Sequence, residues 1–267
     1  MNFITTNHRG GIGNVMFKIA AVISLSMDNN VDYKLSNEFI RQSDKDYATN
    51  GYDDYRIHYY NVLRHIKFVD KLDFSYNIYK EPTFDYTSIP YQQDTNLLLD
   101  GYFQSELYFI NNKQHIIDLY KPQETTKTAL LNIYPEISKA TSIHVRRGDY
   151  LNFPDHHPQQ SIEYYKSAID IIGYNEPYII FSDDLDGCKT MFNFLPNKVF
   201  FTTKINWIDM YIMSLCKNNI ICNSTFSWWG AYLNETPNTQ IIAPNVWFGS
   251  AYKYDTSTII PQNWTKL

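Results

Sequence analysis

The sequence predicts an α/β protein built on parallel sheets. Short apolar runs of strand length alternate with amphipathic stretches of helix length through the second half of the chain. The first half opens in the same way, with a strand, a glycine-rich turn and a helix. The strand candidates are apolar almost throughout, as strands covered on both faces must be.

In the second half the strands are TSIHV (141–145), PYIIF (177–181), KVFF (198–201), NIIC (219–222) and QIIA (240–243). Ser161 is placed to cap a helix that carries Glu163 in its first turn, where the helix dipole favours an acid. Ile162, Tyr165, Ile169 and Ile172 form its apolar stripe. Asn206 is expected to cap the next helix, and residues 226–233 form a short apolar one. Strands with intervening helices imply a doubly covered parallel sheet, which binds ligands at the carboxyl ends of its strands.

The first half begins with FITT (3–6), then HRGGIG, then a helix from Asn14 to Met27 with Met16, Ile19, Ala20 and Ile23 on one side. Residues 40–60 are polar and tyrosine-rich and read as a long loop or small insertion. LLLDGYF (97–103) restores a strand, followed by helix candidates at 106–120 and 124–134. The boundary between halves falls between Pro122 and Ala140, giving domains of 1–138 and 139–267.

At 267 residues the chain can bury a good core. A net charge of -5 and a pI near 5.8 exclude coating of nucleic acid or anionic membrane, so an anion site must be local. Cys188, Cys216 and Cys222 lack the spacing of a zinc site or disulfide framework and read as small buried hydrophobes. No export signal and no long apolar run are seen, so no integral membrane segment and a reducing, cytoplasmic setting are expected. The sequons at Asn223 and Asn263 then carry no meaning.

HVRRGDY (144–150) concentrates cation at the end of a strand. Extended backbone sends His144 and Arg146 to one face, Val145 and Arg147 to the other. Adjacent guanidiniums each need a partner. Asp149 can hold one, either pinning Arg147 in a turn or leaving Arg146 to face a phosphate. HRGGIGN misses both dinucleotide and Walker spacing, but offers a tight turn, Arg9 and a helix start. FSDD (181–184) ends a strand with adjacent carboxylates that diverge, favouring hydrogen bonds to a base or ribose over a metal; Asp184 can equally be a helix N-cap. Ser224, Thr225 and Ser227 at a helix start make a phosphate cradle, while Trp228 and Trp229 fill core.

These motifs, in this order, resemble the α-1,2-fucosyltransferases of glycosyltransferase family 11. The resemblance rests on HRGGIGNVMF, GYFQSELYF (101–109), HVRRGDY, FSDD and WIDMYIMSLCKNNIICNSTFSWWGAYLN (207–234). It departs at Val15, where the family usually has glutamine, and the membrane anchor of animal Golgi members is missing. It implies a GT-B-like α/β fold of two Rossmann-like halves whose parallel sheets face a shared cleft. It also implies inverting, metal-independent transfer of L-fucose from GDP-fucose, the donor substrate, to the 2-hydroxyl of a terminal sugar of a glycan, without a cofactor.

By the same resemblance Arg146 holds the β-phosphate, and His144, Arg147, Asp183, Asp184 and the run Asn223, Ser224, Thr225, Phe226 and Ser227 form the nucleotide-sugar site. His8, Arg9, Gly11, Asn14 and Glu106 lie on the acceptor side. Asp149, Glu106 and His8 are the candidates for general base, with Asp149 first. Another GDP-sugar donor, another linkage and a silent sugar-binding protein are the competing readings.

Overall fold

The computed structural model describes residues 2–8, 10–37, 61–72, 74–253 and 255–267. The tyrosine-rich segment read as a loop, from residue 40 to 60, and Arg9 lie outside the described residues. The chain divides into two compact units, Met1–Lys121 with Tyr254–Pro261, and Pro122–Lys253 with Gln262–Leu267.

The first unit runs β1 (Phe3–Thr6), α1 (Ile12–Asn29), β2 (Asp32–Tyr33), β3 (Leu35–Ser36), β4 (Phe68–Val69), β5 (Asn77–Lys80), β6 (Leu97–Asp100) and α2 (Lys113–Tyr120). Its main sheet has the order β2-β1-β6-β5 and is parallel throughout, with β3 and β4 forming a separate parallel pair. Helix α1 starts at Gly11 and ends where Asn30 turns left-handed at φ 52°. The one-sided stripe expected of it is an underestimate. It is buried nearly all round, because 3-10 turns at Glu106–Tyr108 and Ile110–Asn112 pack on it as well as β1 and β2.

Those turns replace the first half of the helix expected at 106–120. Ser105 caps the first turn, and Phe109 sits at φ -141° with its ring buried beside Phe17, so a continuous helix cannot pass through it. The predicted strand at 97–103 ends at Asp100 for a related reason: the backbone N–H groups of Tyr102 and Phe103 turn to donate to Glu81.

The second unit contains α3 (Glu124–Ile133), β7 (Thr141–Val145), α4 (Ile162–Ile172), β8 (Tyr178–Ser182), α5 (Leu185–Met191), β9 (Lys198–Phe201), α6 (Asn206–Ser214), β10 (Asn218–Ile220), α7 (Thr225–Tyr232), β11 (Ile241–Ala243) and β12 (Thr265–Lys266). The six strands are parallel in the order β12-β11-β10-β7-β8-β9. Strand order therefore reverses between β7 and β10, the place where such sheets open a crevice at their carboxyl ends. Ile143 and Val145 join Tyr165, Ala168 and Ile169 of α4 in a core cluster with Ile180, Phe192, Ile220 and Ile242. Ser161 caps α4 as expected, accepting from the Tyr164 N–H at 3.2 Å.

Two expectations are corrected. Asn206 is the first helical residue of α6 rather than its cap, because the buried Asp209 reaches back to accept from the Thr203 N–H at 2.9 Å and from Thr202 Oγ1 at 2.9 Å. The domain boundary expected at 138/139 lies at 121/122 by compactness. Leu130 and Ile137 are buried, Tyr134 packs edge-on against Phe201 at 5.0 Å, and the Lys217 N–H donates to Ala140 O, so α3 and the turn after it join the second unit. In the other direction, Thr258 N–H donates to Asp85 at 3.1 Å and Ser105 Oγ to Thr258 O at 2.7 Å, which returns residues 254–261 to the first unit.

Gly249 shows how tightly one turn is built. A Cβ there would overlap the Asp155 carbonyl, while its N–H donates to His156 O at 3.0 Å. Gly249→Ala should therefore cost roughly 1–3 kcal/mol, read as a lowered midpoint in thermal unfolding.

Candidate active site

Strand β7 ends at Val145, and the chain then carries both arginines past the sheet edge into a 3-10 turn at Asp149–Asn152. The expected split of faces is seen. Val145 joins the core, whereas the His144 ring lies 5.5 Å from Phe226, with Nδ1 3.2 Å from Cys222 Sγ.

Arg146 is held between two carboxylates. Its Nε and Nη2 donate to Asp149 Oδ1 at 3.0 and 2.7 Å, and Nη1 lies 3.0 Å from Asp183 Oδ2. Burial opposes its charge, but Asp183 and Asp149 outweigh that and push its pKa up. Tyr150 places its ring 5.7 Å from the guanidinium carbon and donates its hydroxyl to Asn223 O at 3.0 Å. The turn after β7 is thereby tied to the loop after β10.

Arg147 turns the other way. Its Nε donates to Asp184 Oδ2 at 2.8 Å and Nη1 to Gln159 at 3.3 Å. The alternative in which Asp149 pins Arg147 is corrected: the short turn leaves Asp149 beside Arg146, and Arg147 finds its carboxylate just past β8, at Asp184. Asp184 also accepts from the Gly187 N–H at 2.9 Å as the N-cap of α5. That bond, followed by Arg147, holds its carboxyl below the usual range. Asp183 accepts from the Arg147 N–H at 2.9 Å, so the two neighbouring carboxylates do diverge. Among the described residues no three His, Cys, Asp or Glu side chains gather as they would around a metal ion.

The loop from β10 to α7 is only partly the hydroxyl cradle expected of it. Asn223 spends its amide inside the fold, donating to Pro158 O and Trp247 O at 3.0 Å each and accepting from Gln160 at 3.0 Å. Ser227 is fully buried and donates back to Ser224 O, and Phe226 packs on His144. The Ser224 side chain makes no capping bond, so Ser224 and the first-turn N–H groups are the part that can meet an anion.

On the first unit, Gly11 begins α1, Asn14 Oδ1 accepts from Gln104 at 3.1 Å, and Glu106 lies 3.5 Å from Lys113 Nζ. His8 is fully buried, edge-on to Phe68 at 5.5 Å. Burial, with Lys18 second, lowers its pKa to about 3. A base enclosed in this way cannot receive a proton from a substrate, so His8 leaves the list of candidates.

Sequence reasoning gave no part in the site to Tyr150, Gly148 or Cys222. Tyr150 and Gly148 stood inside the quoted motif and Cys222 was read as a small buried hydrophobe; their parts become visible only through contact. A Cβ on Gly148 would overlap Asp183, so glycine is what lets that carboxylate close over the turn.

His144 has its pKa lowered to about 3, by burial first and the Arg146 charge second. Unfolding frees an imidazole that binds protons below about pH 6.5, so stability falls as pH drops from there toward the folded value. Denaturant titration should show His144 alone removing roughly 2 kcal/mol between about pH 7.5 and about pH 5. His144→Gln should remove that share and leave the similar one due to His8, whose pKa is also lowered to about 3.

Two parallel α/β units, one with a reversal of strand order, give the chain a GT-B-like fold. The fold is that of fucosyltransferase NodZ from Bradyrhizobium, with a TM-score of 0.52 and 13% identity over 86% of this chain and 92% of that one. The chain belongs to glycosyl transferase family 11, whose model matches residues 2–267. An α-1,2-colitosyltransferase from Escherichia coli is 26% identical over 100% of this chain and 99% of its own length. The O-antigen biosynthesis glycosyltransferase WbnK from Escherichia coli is 34% identical over 63% of this chain, a match that spans 60% of WbnK. A galactoside 2-α-L-fucosyltransferase from Caenorhabditis elegans is 27% identical over 64% of this chain and 53% of its own. Among the described residues no helix is long and apolar enough to cross a membrane.

Proposed function

We propose that the protein transfers L-fucose from GDP-fucose to the 2-hydroxyl of a terminal galactose or similar sugar of a glycan, with inversion and without a metal or cofactor. The observation that carries this reading is Arg146, a cation held by Asp149 and Asp183 at the strand ends beside the start of α7. The second unit binds the GDP-sugar and the first presents the acceptor. As the bond from fucose C1 to the β-phosphate breaks, negative charge grows on the leaving GDP. Arg146 and the first-turn N–H groups of α7 stabilise that charge more than they stabilise the ground state.

The acceptor oxygen attacks C1 from the opposite face and its proton must leave. Asp149 holds Arg146 through Oδ1, and its other oxygen is the acceptor we assign to that proton. Asp183 positions Arg146; Arg147 and Asp184 hold the turn that carries it. A cytoplasmic setting fits the three free thiols, since a reducing compartment keeps cysteines unpaired.

The test is release of GDP from GDP-fucose in EDTA, with and without lactose or N-acetyllactosamine. Acceptor-stimulated, EDTA-resistant release with an α-1,2 product by NMR is the expected result; no release and no GDP binding by calorimetry would overturn the reading. The full-length similarity to a colitosyltransferase favours a second reading, in which the donor is GDP-colitose on the same site. Competition between the two donors decides, by the ratio of their kcat/KM values. Gly148→Ala should weaken GDP binding by roughly tenfold, because displacing Asp183 removes one of the two carboxylates that orient Arg146.

A further inference from the structure

Cys222 sits directly behind the charged turn and is fully enclosed. Two side chains meet its sulfur. His144 Nδ1 is 3.2 Å away and Ser227 Oγ is 3.9 Å away.

The proton on this thiol has one good destination. Sulfur is a weak acceptor, and an imidazole nitrogen is the stronger acceptor of the pair. The alternative, Nδ1–H donating to sulfur while S–H goes to Ser227, requires a bond at 3.9 Å, near the limit even for sulfur. Ser227 in turn donates to Ser224 O at 3.2 Å. Burial, the first cause, pushes the Cys222 thiol up to about 12, so it keeps its proton to give.

We infer that Cys222 is a positioning residue that holds His144 in the Nε2–H tautomer, presenting a neutral N–H beside the Arg146 guanidinium to a phosphate oxygen of the nucleotide. Among the described residues no group accepts from Nε2, and the ring retains 7% of its exposure. Burial and Arg146 keep the imidazole uncharged, so it acts as a donor and not as a base. A protonated imidazole here would repel Arg146; an Nδ1–H tautomer would turn a lone pair toward the anion. The thiol excludes the second as burial excludes the first. The identity of the phosphate rests on the GDP-sugar reading; the tautomer does not.

The experiment is long-range 1H–15N correlation on the whole chain labelled with 15N-histidine, with the His144 signals assigned by His144→Gln. Wild type should show Nε2 protonated and Nδ1 bare. Cys222→Ser should keep that pattern and Cys222→Ala should lose it, with Nδ1–H appearing. Wild type with Nδ1–H, or an alanine variant identical to wild type, would overturn the inference, and the wild-type spectrum alone can do so if a variant fails to fold.

Added GDP should shift the Nε2 signal, and calorimetry should show Cys222→Ala binding GDP about five- to tenfold more weakly, with Cys222→Ser within about twofold of wild type. The Nε2–H tautomer without any response to GDP would overturn the nucleotide reading while leaving the role of Cys222 standing.

Discussion

Arg146→Ala is expected to lower turnover by a hundredfold or more while leaving the fold intact. The magnitude is that of removing a fixed donor from a developing oxyanion, roughly 3–4 kcal/mol of transition-state stabilisation. The loss should exceed that of a simple contact, because the substitution leaves Asp149 and Asp183 without the cation that both now face. Two carboxylates would then border the place where a diphosphate must sit. GDP affinity should fall as well as kcat, and raising the ionic strength should recover some binding by screening them. Arg146→Lys restores the charge but not the planar fork that meets Asp149 through two nitrogens and Asp183 through the third, so only partial rescue is expected. Steady-state GDP release and calorimetry on the three proteins check these statements. Equal turnover in wild type and the alanine variant would remove Arg146 from the chemistry.

Trp228→Ala should be the most damaging single change to stability, at about 3–5 kcal/mol for a fully buried tryptophan truncated to alanine. Trp228 stacks on Tyr232 at 4.4 Å and contacts Trp229 at 5.1 Å and Trp264 at 5.4 Å. Trp264 belongs to the last residues of the chain, which return to the second unit and end in β12. The cavity would therefore loosen both the helix whose first turn faces the anion and the edge of the sheet. A fall of roughly 10 °C in the unfolding midpoint is expected, given about 2–4 °C per kcal/mol for a domain of this size. Trp228→Phe should restore more than half of it. A fall of only a degree or two would mean that the aromatic cluster is not a main support of this unit.

The parallel α/β architecture is legible in one dimension, because strands buried on both faces must be apolar throughout and the helices between them must show a stripe. The same runs put His144 next to last in its strand, Arg146 directly after it, and Asp183 and Ser224 two residues past theirs. Local chemistry read correctly where the partner lies within a turn. Ser161 caps α4, Asp184 caps α5, and the buried tryptophans are core.

Whatever depends on a partner far along the chain is set by packing. Which arginine Asp149 holds followed from where β8 delivers Asp183 and Asp184, some 36 or 37 residues away. His8 stood beside Arg9 in a promising turn, and only packing against Phe68 showed that it is sealed in. Asn223 and Ser227 carry the right atoms for a phosphate, but the fold directs them to Pro158, Trp247 and Ser224 instead. The short strands β2 to β5 and β12 have too few residues to show a period. β2 and β12 lie on the edge of a longer neighbour, and β3 and β4 pair only with each other, so each depends on a partner elsewhere in the chain. Periodicity and capping are local and survive in one dimension; ion-pair choice, enclosure and the return of residues 254–261 to the first unit are set by which surfaces meet.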